Sequence, residues 1–64
     1  MKVAHKILRL PSVKEMTGLS RSTIYERIAA NEFPPQISIG PRAVGWIESE
    51  VNDWIAGQIN QSRK

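Results

Sequence analysis

Arg21, Ser22 and Tyr25 crowd into the stretch TGLSRSTIYERI, residues 17–28, with Ser20 just ahead of them. A guanidinium, two hydroxyls and a phenol offer hydrogen-bond donors within two turns of chain, and a guanidinium can fork onto a phosphate or a guanine edge. The other residues with chemistry to offer are fewer. His5 is the one histidine and there is no cysteine, which rules out a thiolate zinc site and a disulfide framework. Glu48, Glu50 and Asp53 suggest a metal or a carboxylate pair. The preference of carboxylates for a helix N-terminus explains the first two more simply, and no nucleophile or base stands in register with them. Trp46 and Trp54 could stack on bases as aromatics do in single-strand binders. Both fall on apolar faces, however, and are assigned to the core. The chemistry on offer is anion binding; no enzyme activity, metal or cofactor is expected.

The totals support that direction without deciding it. A chain of 64 residues is one domain, expected to span 1–64 with mobile ends at about 1–5 and 60–64. Its net charge of +3 is unevenly spread: Lys2, Lys6, Arg9, Lys14, Arg21, Arg27 and Arg42 occupy the first two thirds, and the three acids gather behind them. A basic front and an acidic back suit a molecule that turns one face toward a polyanion, and suit a mixed solvated surface equally well. No apolar run reaches the roughly 18 residues of a membrane span, and MKVAHKILRL is too interrupted for a signal peptide. A cytoplasmic protein is expected, with no membrane partner and no small-molecule substrate.

Short elements must position these groups. ILRL alternates apolar and basic side chains, a short strand. PSVKEMT reads as a brief helix with proline in its first turn, Val13 and Met16 facing inward, and Ile7 or Leu10 nearby. Gly18 can end it in the left-handed conformation, Leu19 can anchor the turn, and Ser20 can cap a second helix over about 21–30. Ile24 and Ile28 face inward on that helix, which leaves Arg21, Ser22, Tyr25, Glu26 and Ala29 on or beside its outer face. Asn31 can close it, and Phe33 returns to the core. Pro34 and Pro35 force an extended path into QISIGPRAVGWI, a β-hairpin with Ile37 and Ile39 alternating on one strand and Val44 and Trp46 on the other. Gly45 marks a bulge or a close backbone approach. From about Glu48 a third helix carries Val51, Trp54, Ile55 and Ile59 as its inward stripe, and Gly57 invites fraying of its last turns.

Two helices joined by a short glycine-containing turn form a helix-turn-helix, whose second helix enters the DNA major groove N-terminus first. The amides near Ser20 can then donate to a phosphate, Arg21 to a phosphate or guanine, Ser22 to either, and Tyr25 can reach a sugar, a phosphate or a thymine methyl. Arg27 approaches the backbone from the helix flank. The hairpin that follows is a wing, and Arg42 at its bend is placed to meet a minor groove or the phosphate backbone. The fold class expected is α+β: a small winged helix-turn-helix of three short helices with a β-hairpin wing.

The run from Ile7 to Ile59 resembles the AlpA family of small prophage-type regulators, grouped with MerR-like and excisionase-like winged helices. The residues that carry the likeness are TGLSRSTIY, the pair Phe33–Pro34, GPRAVGW and ESEVNDWI. The resemblance implies a bacterial DNA-binding regulator acting on promoters of a prophage or integrated element, at the nucleoid. It puts Ser20, Arg21, Ser22, Thr23 and Tyr25 at or near DNA on the recognition helix, and Arg42 there on the wing. Family members often have a basic residue where this chain has Glu26. That acid either accepts from a cytosine amino group or pairs with Lys14 or Arg27, and the pairing is the expectation.

The resulting reading is a sequence-specific regulator that binds double-stranded DNA, with RNA polymerase or a second copy of itself as further partners. Its rivals are an excisionase-type architectural protein of the same fold and a protein-interaction module that uses the second helix as its contact surface.

Overall fold

Nearly every element contributes a single side chain to one core. In the computed structural model, which describes residues 5–63, these are Leu8, Val13, Ile24, Phe33, Trp46 and Val51. Lys2 and the outermost parts of both ends lie outside the described residues. The order is β1 (Ile7–Leu8), α1 (Leu10–Thr17), α2 (Arg21–Ala29), β2 (Ile37–Gly40), β3 (Ala43–Ile47) and α3 (Glu48–Ser62). The three strands form an antiparallel sheet in the order β1-β3-β2. The fold is the α+β winged helix-turn-helix expected from sequence, with one addition. Strand β1 pairs with the far side of β3, Ile7 opposite Ile47 and Leu8 opposite Trp46. Only the tertiary fold brings that pair together.

The turn between α1 and α2 is braced locally. Gly18 ends α1 at φ 72°, in the left-handed region where a side chain would be strained. The Thr17 hydroxyl donates to the Val13 carbonyl at 2.7 Å and accepts from the Leu19 amide at 3.2 Å. Helix α2 then begins on Ser20, whose hydroxyl accepts from the Thr23 amide at 3.2 Å. It ends in a Schellman arrangement: Asn31 takes φ 59°, its amide bonds the Ile28 carbonyl at 3.1 Å, and the Glu32 amide bonds the Arg27 carbonyl at 2.7 Å. Both ends of the helix are therefore capped by residues that the local sequence supplies.

Several inward assignments change. Val13 is fully buried, but Met16 is 37% exposed, in an open concavity that it lines with Lys6, Leu8, Pro11, Ser12, Glu15 and Glu48. Of the neighbours expected for α1, Ile7 is 39% exposed while Leu8 takes the core place and Leu10 packs against it. Ile59 is 43% exposed: α3 runs on through Gly57 to Ser62, so Ile59 lies roughly 12 Å along the axis beyond Val51, past the elements that could cover it. Ile39 is 41% exposed and falls at a register shift in the β2–β3 pairing, between Ser38 and Gly40, so the alternation expected of β2 stops there. The irregularity sits on β2 rather than at Gly45. Gly45 is instead the close approach: a Cβ there would stand 2.5 Å from Ile7 Cγ2 and 3.0 Å from the Leu8 carbonyl oxygen.

Candidate nucleic-acid interface

The first turn of α2 is open to solvent. Ser20, Arg21 and Ser22 are exposed and Thr23 is half-buried. The Ser20 hydroxyl is already engaged, since besides accepting from the Thr23 amide it donates to Thr23 Oγ1 at 2.9 Å. Its side chain is spent on the cap. What remains available there are the amides of Arg21 and Ser22, which have no partner within the helix, and the hydroxyls of Ser22 and Thr23 as donors. Free amides at the positive end of a helix dipole make a place for an anion such as phosphate.

Tyr25 is less exposed than the helical period alone suggests. It is half-buried, and its ring meets Trp46 edge-on at 6.3 Å between centroids. The Arg21 guanidinium lies 5.7 Å from the Tyr25 ring centroid, so a cation–π contact orients it along that side of the helix. Tyr25 thus acts as a strut between α2 and β3, with Arg21 over its ring.

Arg27 turns the other way. Its guanidinium stands 5.9 Å from the Trp54 ring of α3, in a concavity that Glu32, Pro34, Glu50 and Asp53 also line. Trp54 in turn meets Phe33 at 4.9 Å and donates from Nε1 to the Glu32 carbonyl at 2.7 Å, so it is half-buried against the core rather than inside it. These contacts separate Arg27 from the Ser20–Ser22 group and commit it to the flank facing α3. Glu26 differs from expectation too. Lys6–Glu48 at 3.8 Å is the sole ion pair among the described residues, so neither Lys14 nor Arg27 holds Glu26, which stands exposed. Its outward place, opposite Ile24 and Ile28, is the one expected from sequence; the expected ion pair is not formed.

Arg42 is exposed in the turn between β2 and β3, beside Pro41. Trp46 lies four residues further along β3, about 13 Å at strand rise. The strand that bears the Tyr25 contact therefore follows directly from the turn that bears Arg42. His5 is exposed, and among the described residues no three His, Cys, Asp or Glu side chains gather as a metal site would require. No helix among those residues is long and apolar enough to cross a membrane.

With this geometry in view, comparison with known proteins adds an independent finding. A family described as prophage CP4-57 regulatory protein (AlpA) matches residues 6–59. "Uncharacterized protein ORF88" of Enterobacteria phage P4 is 56% identical over 54 residues, which cover 84% of this chain and 61% of that protein. The chain thus spans less than two thirds of the phage P4 protein's length. The "DNA-binding transcriptional activator AlpA" of Escherichia coli K12 is 39% identical over 59 residues, covering 83% of this chain and 84% of that protein.

Proposed function

The chain belongs to the family of prophage CP4-57 regulatory proteins, AlpA, and from that premise we propose that it is a sequence-specific regulator of transcription that binds double-stranded DNA of a prophage or integrated element. Residues 1–64 act as one winged helix-turn-helix domain, and no catalytic step is assigned to it. Helix α2 lies in the major groove. The amides of Arg21 and Ser22 and the Thr23 hydroxyl hold a phosphate, while Arg21, Ser22 and Tyr25 face base edges or the adjoining backbone. Ser20 serves by capping the helix, and Arg27 at most by lending charge from the flank. Arg42 meets the minor groove or the backbone. A second copy on a neighbouring site, or RNA polymerase at the promoter, is the protein partner, and the work is done at the nucleoid in the bacterial cytoplasm.

The observation that carries this reading is the open N-terminal turn of α2. Its free amides and exposed Arg21 and Ser22 stand on a helix whose opposite side is locked into the core through Ile24. A helix held so firmly, with donors aimed outward, suits a rigid anionic surface.

The test is fluorescence anisotropy with a labelled random-sequence duplex over a series of salt concentrations, then with DNA from upstream of the gene and its neighbours. Affinity should fall with salt at a slope of about −0.9 per phosphate contact, and one promoter fragment should bind more tightly than the random duplex. Salt-sensitive binding with no sequence preference would favour an architectural role of the excisionase kind. A folded sample that ignores DNA at low salt would leave a protein-interaction module as the better account.

A further inference from the structure

Glu26 stands one turn after Ser22, at the centre of the outward face of α2, which the proposed function turns toward DNA. It lies two residues from each of Ile24 and Ile28, hence about 200° around the helix from both, and these two residues fix the inward direction. Along the same outer strip stand Ser22 one turn before it and Ala29 and Ala30 one turn after, all exposed and all small. Nothing bulky keeps this strip from close approach to a surface.

The cations of the helix stand elsewhere. Arg21 is drawn over Tyr25 and Arg27 over Trp54, on the two flanks. Glu26 makes no ion pair among the described residues. The outcome is a helix with positive charge on its flanks and one unneutralised carboxylate in the middle. Such an arrangement is a poor match for a phosphate ridge, where a carboxylate meets one negative charge per about 1.7 Å of duplex axis. It is a better match for a groove, where the Arg21 flank meets a backbone and the outward strip meets base edges, Arg27 being turned toward Trp54 of α3.

On the floor of the major groove an acceptor-only side chain needs an amino group. Cytosine N4 and adenine N6 provide one. Adenine sets its N7 acceptor beside the amino group, which suits the paired donor and acceptor of an amide; a carboxylate suits cytosine N4. Resting on the DNA-binding reading above, we infer that Glu26 is a specificity-determining residue that accepts a hydrogen bond from the N4 amino group of a cytosine in the major groove.

The experiment is selection from a random duplex pool with the wild-type protein and with Glu26→Ala, followed by anisotropy titrations on the selected site with each of the four base pairs at every position. Glu26 is exposed and stands opposite the core-facing Ile24 and Ile28, so the variant should retain the helical circular dichroism and unfolding temperature of the wild type. The wild type should require cytosine at one position and lose roughly 5- to 150-fold in affinity when it is replaced. Glu26→Ala should lose that one preference and keep the others. The inference is overturned if the variant keeps the cytosine preference, or if the preference it loses is for adenine. It is equally overturned if the variant binds all duplexes more tightly by one common factor, since Glu26 would then only repel the backbone. If the wild type binds duplexes with salt sensitivity while Glu26 proves neutral, the DNA-binding reading survives and only this inference falls. A wild type that binds no duplex overturns both.

Discussion

Helix α2 is fastened to the body of the molecule at three places, whereas the β2–β3 hairpin is fastened along one strand. Ile24 is fully buried beneath the middle of α2, Tyr25 meets Trp46 beside it, and the Asn31 turn leads directly into Phe33, which is buried against Trp54. In the hairpin, β3 buries Gly45 and Trp46, but β2 buries none of its residues and the Pro41–Arg42 turn is exposed. The difference matches the two kinds of contact proposed. Reading a base edge requires donors and acceptors held within a few tenths of an ångström, which a helix locked by core packing can provide. Touching a phosphate or a groove wall requires charge in roughly the right place, which a turn at the end of a strand provides.

Trp46 is where the two regions meet, so its removal should have the largest effect. Trp46→Ala should cost about 3–5 kcal/mol, the range for deleting a buried aromatic side chain. A domain this small has a total stability of comparable size, so chemical denaturation should show a largely unfolded protein. Trp46→Phe should cost markedly less, because the indole N–H it discards has no hydrogen-bond partner among the described residues. Equal losses in the two variants would mean that the indole nitrogen matters after all.

Gly45→Ala probes the hairpin side alone. The added methyl would meet Ile7 and the Leu8 backbone, forcing β1 away from β3 at about 1–3 kcal/mol in an unfolding titration. Thr23 and Tyr25 should keep native amide shifts if α2 is held independently of that contact. Coupled changes in α2 would break the contrast between the two regions.

The smallest effect on the fold comes from removing the two exposed arginines. Arg21→Ala and Arg42→Ala should each change stability by no more than about 0.5 kcal/mol. On DNA they should part company. Arg21→Ala should cost about 1–3 kcal/mol on the preferred site if that arginine reads a base. Arg42→Ala should weaken binding to all sequences alike and reduce the salt slope by about 1. The opposite pattern, measured by anisotropy, would assign specificity to the wing.

Much of this was legible in the residues themselves. Gly18, Ser20 and Asn31 mark the ends of α1 and α2 through local backbone preferences, and each takes the expected conformation or bond. The hairpin was legible because its bend and its strand-forming residues are local as well, although the alternation of β2 gives way at Ile39. Less legible was which apolar residue on a readable face is covered. Met16, Ile39 and Ile59 have the right spacing but are only partly covered, and spacing contains no information about what faces a helix or strand. The candidate site divides in the same way. The exposure of Arg21 and Ser22 follows from the helical period. The diversion of Arg27 toward Trp54 and the role of Tyr25 as a strut depend on contacts that cross 27 and 21 residues of chain.

By itself, then, the sequence determined the order and the ends of the elements, because caps, prolines and periodicity act over a few residues. It also determined the family, through motifs spread across most of the chain. Tertiary structure alone decided that β1 completes the sheet against β3 and that Gly45 must lack a side chain there. It decided as well that Arg27 leans onto Trp54 of α3, away from Glu26, which has no ion pair among the described residues. Those outcomes rest on which surfaces happen to meet, and a side chain's partner is set by packing between elements that are far apart in the chain.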